Sequence, residues 1–251
     1  MRLLIGIDDT DNLTSIGTGK LVRMLGLELV ARELAQVIGT TRHQLLVSPE
    51  IPFTSHNSSA CMMVETDTDK VDKLTGYCRE FLLKNSASGS DAGLCLAPWN
   101  RVNLTVQTFG KLAKEKVLTQ KEAIAVAQEA GLFLEGLTGT KGGIIGALAG
   151  VGLRKTGNDG RFIWLPGLYE LEGIYTARQL YQNVVGVDRI QDLTGELIPE
   201  GMRIQVNSWP RPVLLNGQII MLVAQATDEA REVKQEDYEY QMAPKNIVRQ
   251  Y

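Results

Sequence analysis

The hydrophobic pattern of the first half of the chain switches between continuous apolar runs and helical spacing. Residues 2–7 form a short apolar run rich in strand formers that ends in carboxylates, which predicts a buried strand delivering acids to its end. From Lys20 to Gln36 apolar residues recur at Leu21, Leu25 and Leu29, the period of a long helix against a core. Strand-like runs follow at 43–47 and 60–65. A helix over 69–85, opened by Asp67 or Thr68 as its cap, comes next.

A Ser/Gly/Asn-rich break at 85–93 leads into mixed sequence. The pair Thr119 and Glu122 then matches a capping box and predicts a helix running to about Leu134. Beyond the glycine-rich stretch 136–152, strands are expected at 161–165, 202–206 and 218–224, with a helix near 176–183 and a charged, solvated helix over 227–237. The reading is an α+β chain of two domains, an α/β-type segment 1–150 and an α+β segment 151–251.

Composition is that of a folded, water-soluble chain, with 44% hydrophobic and 22% charged residues. Neither half is basic: Lys plus Arg against Asp plus Glu is 15 to 16 before position 150 and 11 to 13 after it. That balance disfavours tight, autonomous binding to nucleic acid, which needs an excess of cations against phosphates. Cys61, Cys78 and Cys95 form no C-x-x-C pair and only His43 and His56 could add imidazoles, so no zinc site is expected. With no signal-peptide pattern and no apolar run long enough for a span, the expected location is the cytoplasm, with no membrane partner.

Candidate chemistry concentrates in a few segments. Asp8, Asp9 and Asp11, with Thr10 between them, place three carboxylates at a strand end, where oxygen ligands suit Mg²⁺. The alternative for such a cluster is a turn or a helix cap. Gly17, Thr18, Gly19 and Lys20 precede the first helix and could receive a phosphate at its N-terminus, although the spacing is not that of a Walker loop. Lys141, Gly142, Gly143 and Gly146 open a second small-residue segment, read either as a phosphate-approach loop or as close helix packing. Ser90 and Asp91 offer a hydroxyl and a carboxylate in a loop that could close over a nucleotide, and His56 and Asn57 lie where a substrate could be contacted. Trp99, Trp164 and Trp209 are isolated and read as packing residues.

In this order these segments resemble the archaeal tRNA-Ile agmatidine synthetase family, which joins agmatine to the anticodon wobble cytidine at the expense of ATP. The residues that carry the resemblance are Gly6-Ile7-Asp8-Asp9-Thr10-Asp11, Thr18, Asn57, Ser90-Asp91-Ala92-Gly93, Gly143 to Ala149 and Pro212-Val213-Leu214. The resemblance implies a kinase-like ATP domain over 1–150 and a ferredoxin-like domain over 151–251. It implies Asp8, Asp9 and Asp11 as holders of Mg-ATP, Thr18 as the phosphate-proximal or autophosphorylated threonine, and Gly143 and Gly146 as part of the nucleotide loop. The family's OB-fold and zinc ribbon are not matched, and its Arg-Gly-Asn-Gly pattern is replaced around Ser55-His56-Asn57-Ser58.

The expectation is therefore a shortened relative, a Mg-ATP-dependent ligase- or phosphotransferase-like enzyme. Its unidentified acceptor would be a small molecule, a nucleotide, or an RNA presented by a partner. The complete tRNA-Ile reaction with a partner chain, tRNA otherwise being held only weakly, and a non-catalytic ATP-binding sensor stay as alternatives, and homo-oligomer formation is left open.

Overall fold

A computed structural model describes residues 1–51, 57–207, 210–227 and 237–251. His56, Trp209 and nearly all of the expected 227–237 helix lie outside the described residues. The chain divides into two compact units, Met1–Thr156 and Gly157–Tyr251, and position 150 lies inside a helix. Mixed helix and strand content makes the fold α+β, as the alternating pattern implied.

In the first unit, strands β1 (Arg2–Asp8), β2 (Gln36–Gln44), β3 (Ser58–Glu65), β4 (Gly93–Pro98) and β5 (Phe133–Gly136) form a sheet in the order β5-β4-β1-β3-β2. Every neighbouring pair is antiparallel. β1 is the central strand, buried on both faces, which is why its sequence reads as an unbroken apolar run. Leu4 and Gly6 share one face with Asp8, and Leu3, Ile5 and Ile7 lie on the other.

The helices are α1 (Thr18–Ala31), α2 (Val71–Asn85), α3 (Leu104–Leu112), α4 (Gln120–Ala130) and α5 (Ile144–Thr156). α5 lies against β1, β3 and β4, with α3 and α4 packed on it. Its small residues make this approach close: a Cβ at Gly6 would fall 2.0 Å from the Ala147 carbonyl oxygen. The core on this side gathers Leu4, Cys61, Cys95 and Ala97 from the sheet with Ala147, Leu148 and Val151 from α5 and Val106 and Phe109 from α3.

Several expected boundaries move. α1 ends at Ala31, where Arg32 caps it and Glu33 turns with φ 53°, so the chain is already a strand at Gln36 rather than at 43. The Thr119–Glu122 capping box is formed in both directions, and α4 stops at Gly131, whose φ of 63° is a left-handed C-terminal cap. Trp99 packs as expected, with Lys155 Nζ 3.6 Å from its ring centre.

The second unit is a mixed sheet of short strands. These are β6 (Arg161–Trp164), β7 (Gly173–Thr176), β8 (Arg189–Gln191), β9 (Arg203–Val206), β10 (Val213–Leu215), β11 (Gln218–Gln225) and β12 (Tyr240–Met242). Within it β10 and β11 form a hairpin through Asn216 and Gly217, both at positive φ, the dipeptide that such a two-residue turn favours. Helix α6 (Ala177–Asn183) is capped by Thr176 and Gln179. Phe162, Leu180, Ile204 and Met221 are among its core.

Candidate nucleotide site

The central strand ends at Asp8, beneath the N-terminal half of α5. Asp8 pairs with Gly93 on β4, and above it a Cβ at Gly146 would lie 1.7 Å from Asp8 Oδ2. The helix thus has a glycine where the carboxylate needs room. Burial pushes the Asp8 carboxyl well above the usual carboxylate range, the charge of Asp9 adds to this, and a hydrogen bond from the Asp9 backbone N–H works against it.

Asp9 takes a left-handed backbone with φ 53°, a conformation that Asp tolerates better than most residues, and so turns the chain out of the strand. Its carboxyl is also raised, by burial first and then by the charge of Asp91, against a hydrogen bond from the Asp91 backbone N–H. Thr10 is buried and donates from Oγ1 to Thr18 Oγ1 at 3.0 Å. Asp11 Oδ2 accepts the Thr18 backbone N–H at 3.2 Å, at the start of α1. Gly17, at the N-cap of α1, has no side chain to do this.

A second loop closes on the first. The Ala87 N–H donates to the Thr10 carbonyl at 2.9 Å, and Asn12 Nδ2 donates to the Ser88 carbonyl at 3.1 Å. Asp91 then ties this loop to the glycine segment before α5. Its Oδ1 accepts the Thr140 N–H at 2.5 Å and its carbonyl accepts the Gly143 N–H at 2.9 Å. Ser90 is buried, and its carbonyl accepts from Thr138 Oγ1 at 2.7 Å, while that same Thr138 oxygen accepts the Ala92 N–H at 2.8 Å. Lys141 is exposed with φ 68°, and Gly143 is buried so close to Asp91, Gly93 and Asp8 that no larger residue fits.

The contacts therefore bring Asp8, Asp9, Thr10, Asp11, Thr18, Ser90, Asp91, Gly143 and Gly146 together, with Gly17, Gly19, Lys141 and Gly142 on the bordering segments. Asn57 stands apart from this network. It lies just before β3, at the sheet end where Asp8 emerges, but its Nδ2 donates to the Leu46 carbonyl at 2.6 Å and its own carbonyl accepts the Leu45 N–H, closing the β2–β3 connection. Sequence reasoning misses Thr138, for which a Thr-Gly-Thr run before the glycines is the available signal.

Asp11 differs from the other two carboxylates in accepting the Thr18 N–H, and its charge still raises both the Asp8 and the Asp9 carboxyls. Among the described residues no group of three His, Cys, Asp or Glu side chains is arranged to hold a metal ion. What fits a divalent cation is the pair Asp8 and Asp9, two carboxylates destabilised by burial and by neighbouring charge. One or two carboxylates completed by water and phosphate oxygens is the usual Mg²⁺ arrangement.

No protein-family model and no curated protein matches the chain. It is similar to solved structures. A complex of TiaS with an isoleucine tRNA and ATP shares 30% identity at a TM-score of 0.54, over 61% of this chain and 36% of that chain. A tRNA fluorescent labeling enzyme shares 30% identity at 0.53 over the same 61% and 36%. Apo TiaS, an agmatidine synthetase for isoleucine tRNA, shares 28% at 0.52, over 61% and 35%. A complex of TiaS with isoleucine tRNA, AMPCPP and agmatine, at 22% identity and a TM-score of 0.53, shares the fold over 97% of this chain and 57% of that one. The chain spans 36% of the length of the first of these relatives, and over that part its resemblance to tRNA-Ile agmatidine synthetase, read from Gly6-Ile7-Asp8-Asp9-Thr10-Asp11, is borne out.

Proposed function

We propose that Met1–Thr156 is a Mg-ATP-binding, kinase-like unit that activates an acceptor at the expense of ATP. The observation that carries this reading is the meeting of three loops, 8–11, 87–91 and 137–143, at the start of α5 beside the start of α1. Helix starts and glycine loops suit phosphate groups, and the carboxylate pair suits the cation that accompanies them. The similarity to TiaS, solved in complex with ATP and an isoleucine tRNA, supports it.

In this reading Asp8 and Asp9 hold the cation. When bound, Mg²⁺ neutralises charge on the transferred phosphoryl group. Asp91 keeps the 137–143 loop in one conformation so that its backbone can approach a polyphosphate. The Thr18 hydroxyl, fixed by Thr10, faces the same region and is the phosphate-proximal group. Three free, buried cysteines suit a reducing cytoplasm. Among the described residues no helix is long and apolar enough to cross a membrane.

The acceptor is a small molecule, a nucleotide, or an RNA presented by a partner, since neither half of the chain has the basic excess that autonomous RNA binding uses. Titration calorimetry of the wild type and Asp8→Asn with ATP in Mg²⁺ tests the central claim. Binding by the wild type that is lost in the variant supports it, and no binding by either withdraws the enzyme reading. Labelled tRNA-Ile and agmatine incorporation then separate the full synthetase reaction from other acceptors.

A further inference from the structure

Ser59 stands one residue beyond the last β1–β3 pair, Ile7 with Ala60, as Asp8 does on the facing strand. The two side chains therefore lie across from one another on the α5 face of the sheet. α5 has a glycine over each. A Cβ at Gly146 would fall 1.7 Å from Asp8 Oδ2, and a Cβ at Gly150 would fall 2.6 Å from Ser59 Oγ. Positions four apart on a helix lie about 5–6 Å from each other on one face, so the carboxylate and the hydroxyl sit within one helical turn.

Ser59 is 1% exposed, and among the described residues its Oγ has no hydrogen-bond partner. A buried hydroxyl left unpaired costs about 1–3 kcal/mol, and alanine would fill the space beneath Gly150 without that cost. Packing alone thus gives no reason for a serine here. On the other flank, His43 pairs with Ser59 in the β2–β3 ladder, but its Nε2 is already engaged with Thr41 Oγ1 at 2.7 Å. The acceptor across the row on β1 is the Asp8 carboxylate, which takes one hydrogen bond from the Asp9 backbone N–H.

We infer that Ser59 is a positioning residue for Asp8: its hydroxyl donates to the Asp8 carboxylate in the Mg-nucleotide complex and sets the orientation in which that carboxylate meets the cation. The inference rests on the Mg-ATP reading. Outer-shell donors of this kind hold a ligand's rotamer, and their removal typically lowers metal affinity about 10- to 100-fold.

The test is titration calorimetry of the full chain with ATP in Mg²⁺ and with ATP in EDTA, alongside thermal unfolding of the ligand-free protein. Ser59→Ala is expected to weaken Mg-ATP binding about 10- to 100-fold, to leave binding in EDTA unchanged, and to unfold at the same or a higher temperature. Ser59→Thr and Ser59→Val share one shape and differ in the hydroxyl, so the threonine variant should bind Mg-ATP more tightly than the valine one even where alanine perturbs the strand. Wild-type affinity in Ser59→Ala, equal losses with and without Mg²⁺, or equal affinities of the threonine and valine variants would each overturn the assignment while leaving the Mg-ATP reading in place. A wild type that binds no Mg-ATP removes both.

Discussion

A Cβ on residue 146 would sit 1.7 Å from Asp8 Oδ2, so Gly146 and the Asp8 carboxylate occupy adjoining space that only glycine leaves open. The nearest atoms, Oδ2 and then Cγ at 2.5 Å, belong to a side chain that can rotate, and Asp8 Cβ at 3.1 Å has only a small distance to give. Gly146→Ala is therefore expected to fold, with a thermal midpoint near that of the wild type, and to bind Mg-ATP at least about tenfold more weakly because the carboxylate is turned from its position. Calorimetry beside a thermal melt checks both halves. Unchanged affinity would mean that Asp8 tolerates displacement and is not a ligand.

Gly6 makes the opposite case on the same strand. Its added Cβ would fall 2.0 Å from the Ala147 carbonyl oxygen, an atom of the α5 backbone that cannot rotate away. Gly6→Ala must lift the helix off the sheet, and overpacking of this kind typically costs about 1–3 kcal/mol. Urea denaturation should show the loss, and any fall in nucleotide binding should track it. Stability equal to the wild type would contradict the close helix–sheet approach.

How much of this was legible in the sequence depends on how local each signal is. The acids at the end of β1 were readable because an apolar run stopping in carboxylates is contiguous. The same held for the capping box at Thr119 and Glu122, which is complete within four residues. β4 was not readable: buried on both faces and bounded by Gly93 and Pro98, it has neither alternation nor a strand-like flank. β2 was displaced because the apolar spacing of α1 continues through Leu34 and Ala35, while the turn that ends the helix is made by Glu33, not by glycine. In the second unit β6, β9 and β11 lie where strands were expected, whereas β7, β8, β10 and β12, of three or four residues, are too short to show a period. The engagement of Asp11 with the Thr18 N–H at the start of α1 also escaped the sequence, since it joins positions seven residues apart.

The cysteines offer a check on the core. Burial pushes the Cys61 and Cys78 thiols up to about 12, and it raises Cys95 too, with Cys61 beside it adding to the effect. The thiolate is the reactive form, and a thiol with a pKa near 12 is ionised to about one part in ten thousand at pH 8, against about a quarter for an ordinary cysteine. All three should resist a thiol reagent such as DTNB in the native protein and react together in denaturant. A thiol that reacts at once in the native state would show that its strand or helix is not packed as described.

Asp91 joins three segments, and its two chemical roles can be separated. Its carboxylate accepts the Thr140 N–H and so holds the glycine loop, yet its charge also raises the Asp9 carboxyl. Asp91→Ala removes both. A lost hydrogen bond to a charged group costs about 1.5–3 kcal/mol, and relief of the repulsion from Asp9 offsets part of it, so a net loss of about 1 kcal/mol is expected together with weakened Mg-ATP binding. Asp91→Asn keeps an oxygen acceptor for Thr140 and removes only the charge. It should match or exceed wild-type stability in urea and keep the loop in place. If asparagine destabilises as much as alanine, the charge itself organises the loop. The positive end of α5 would then be its source of stabilisation, because a neutral amide interacts with a helix start far less than a carboxylate does.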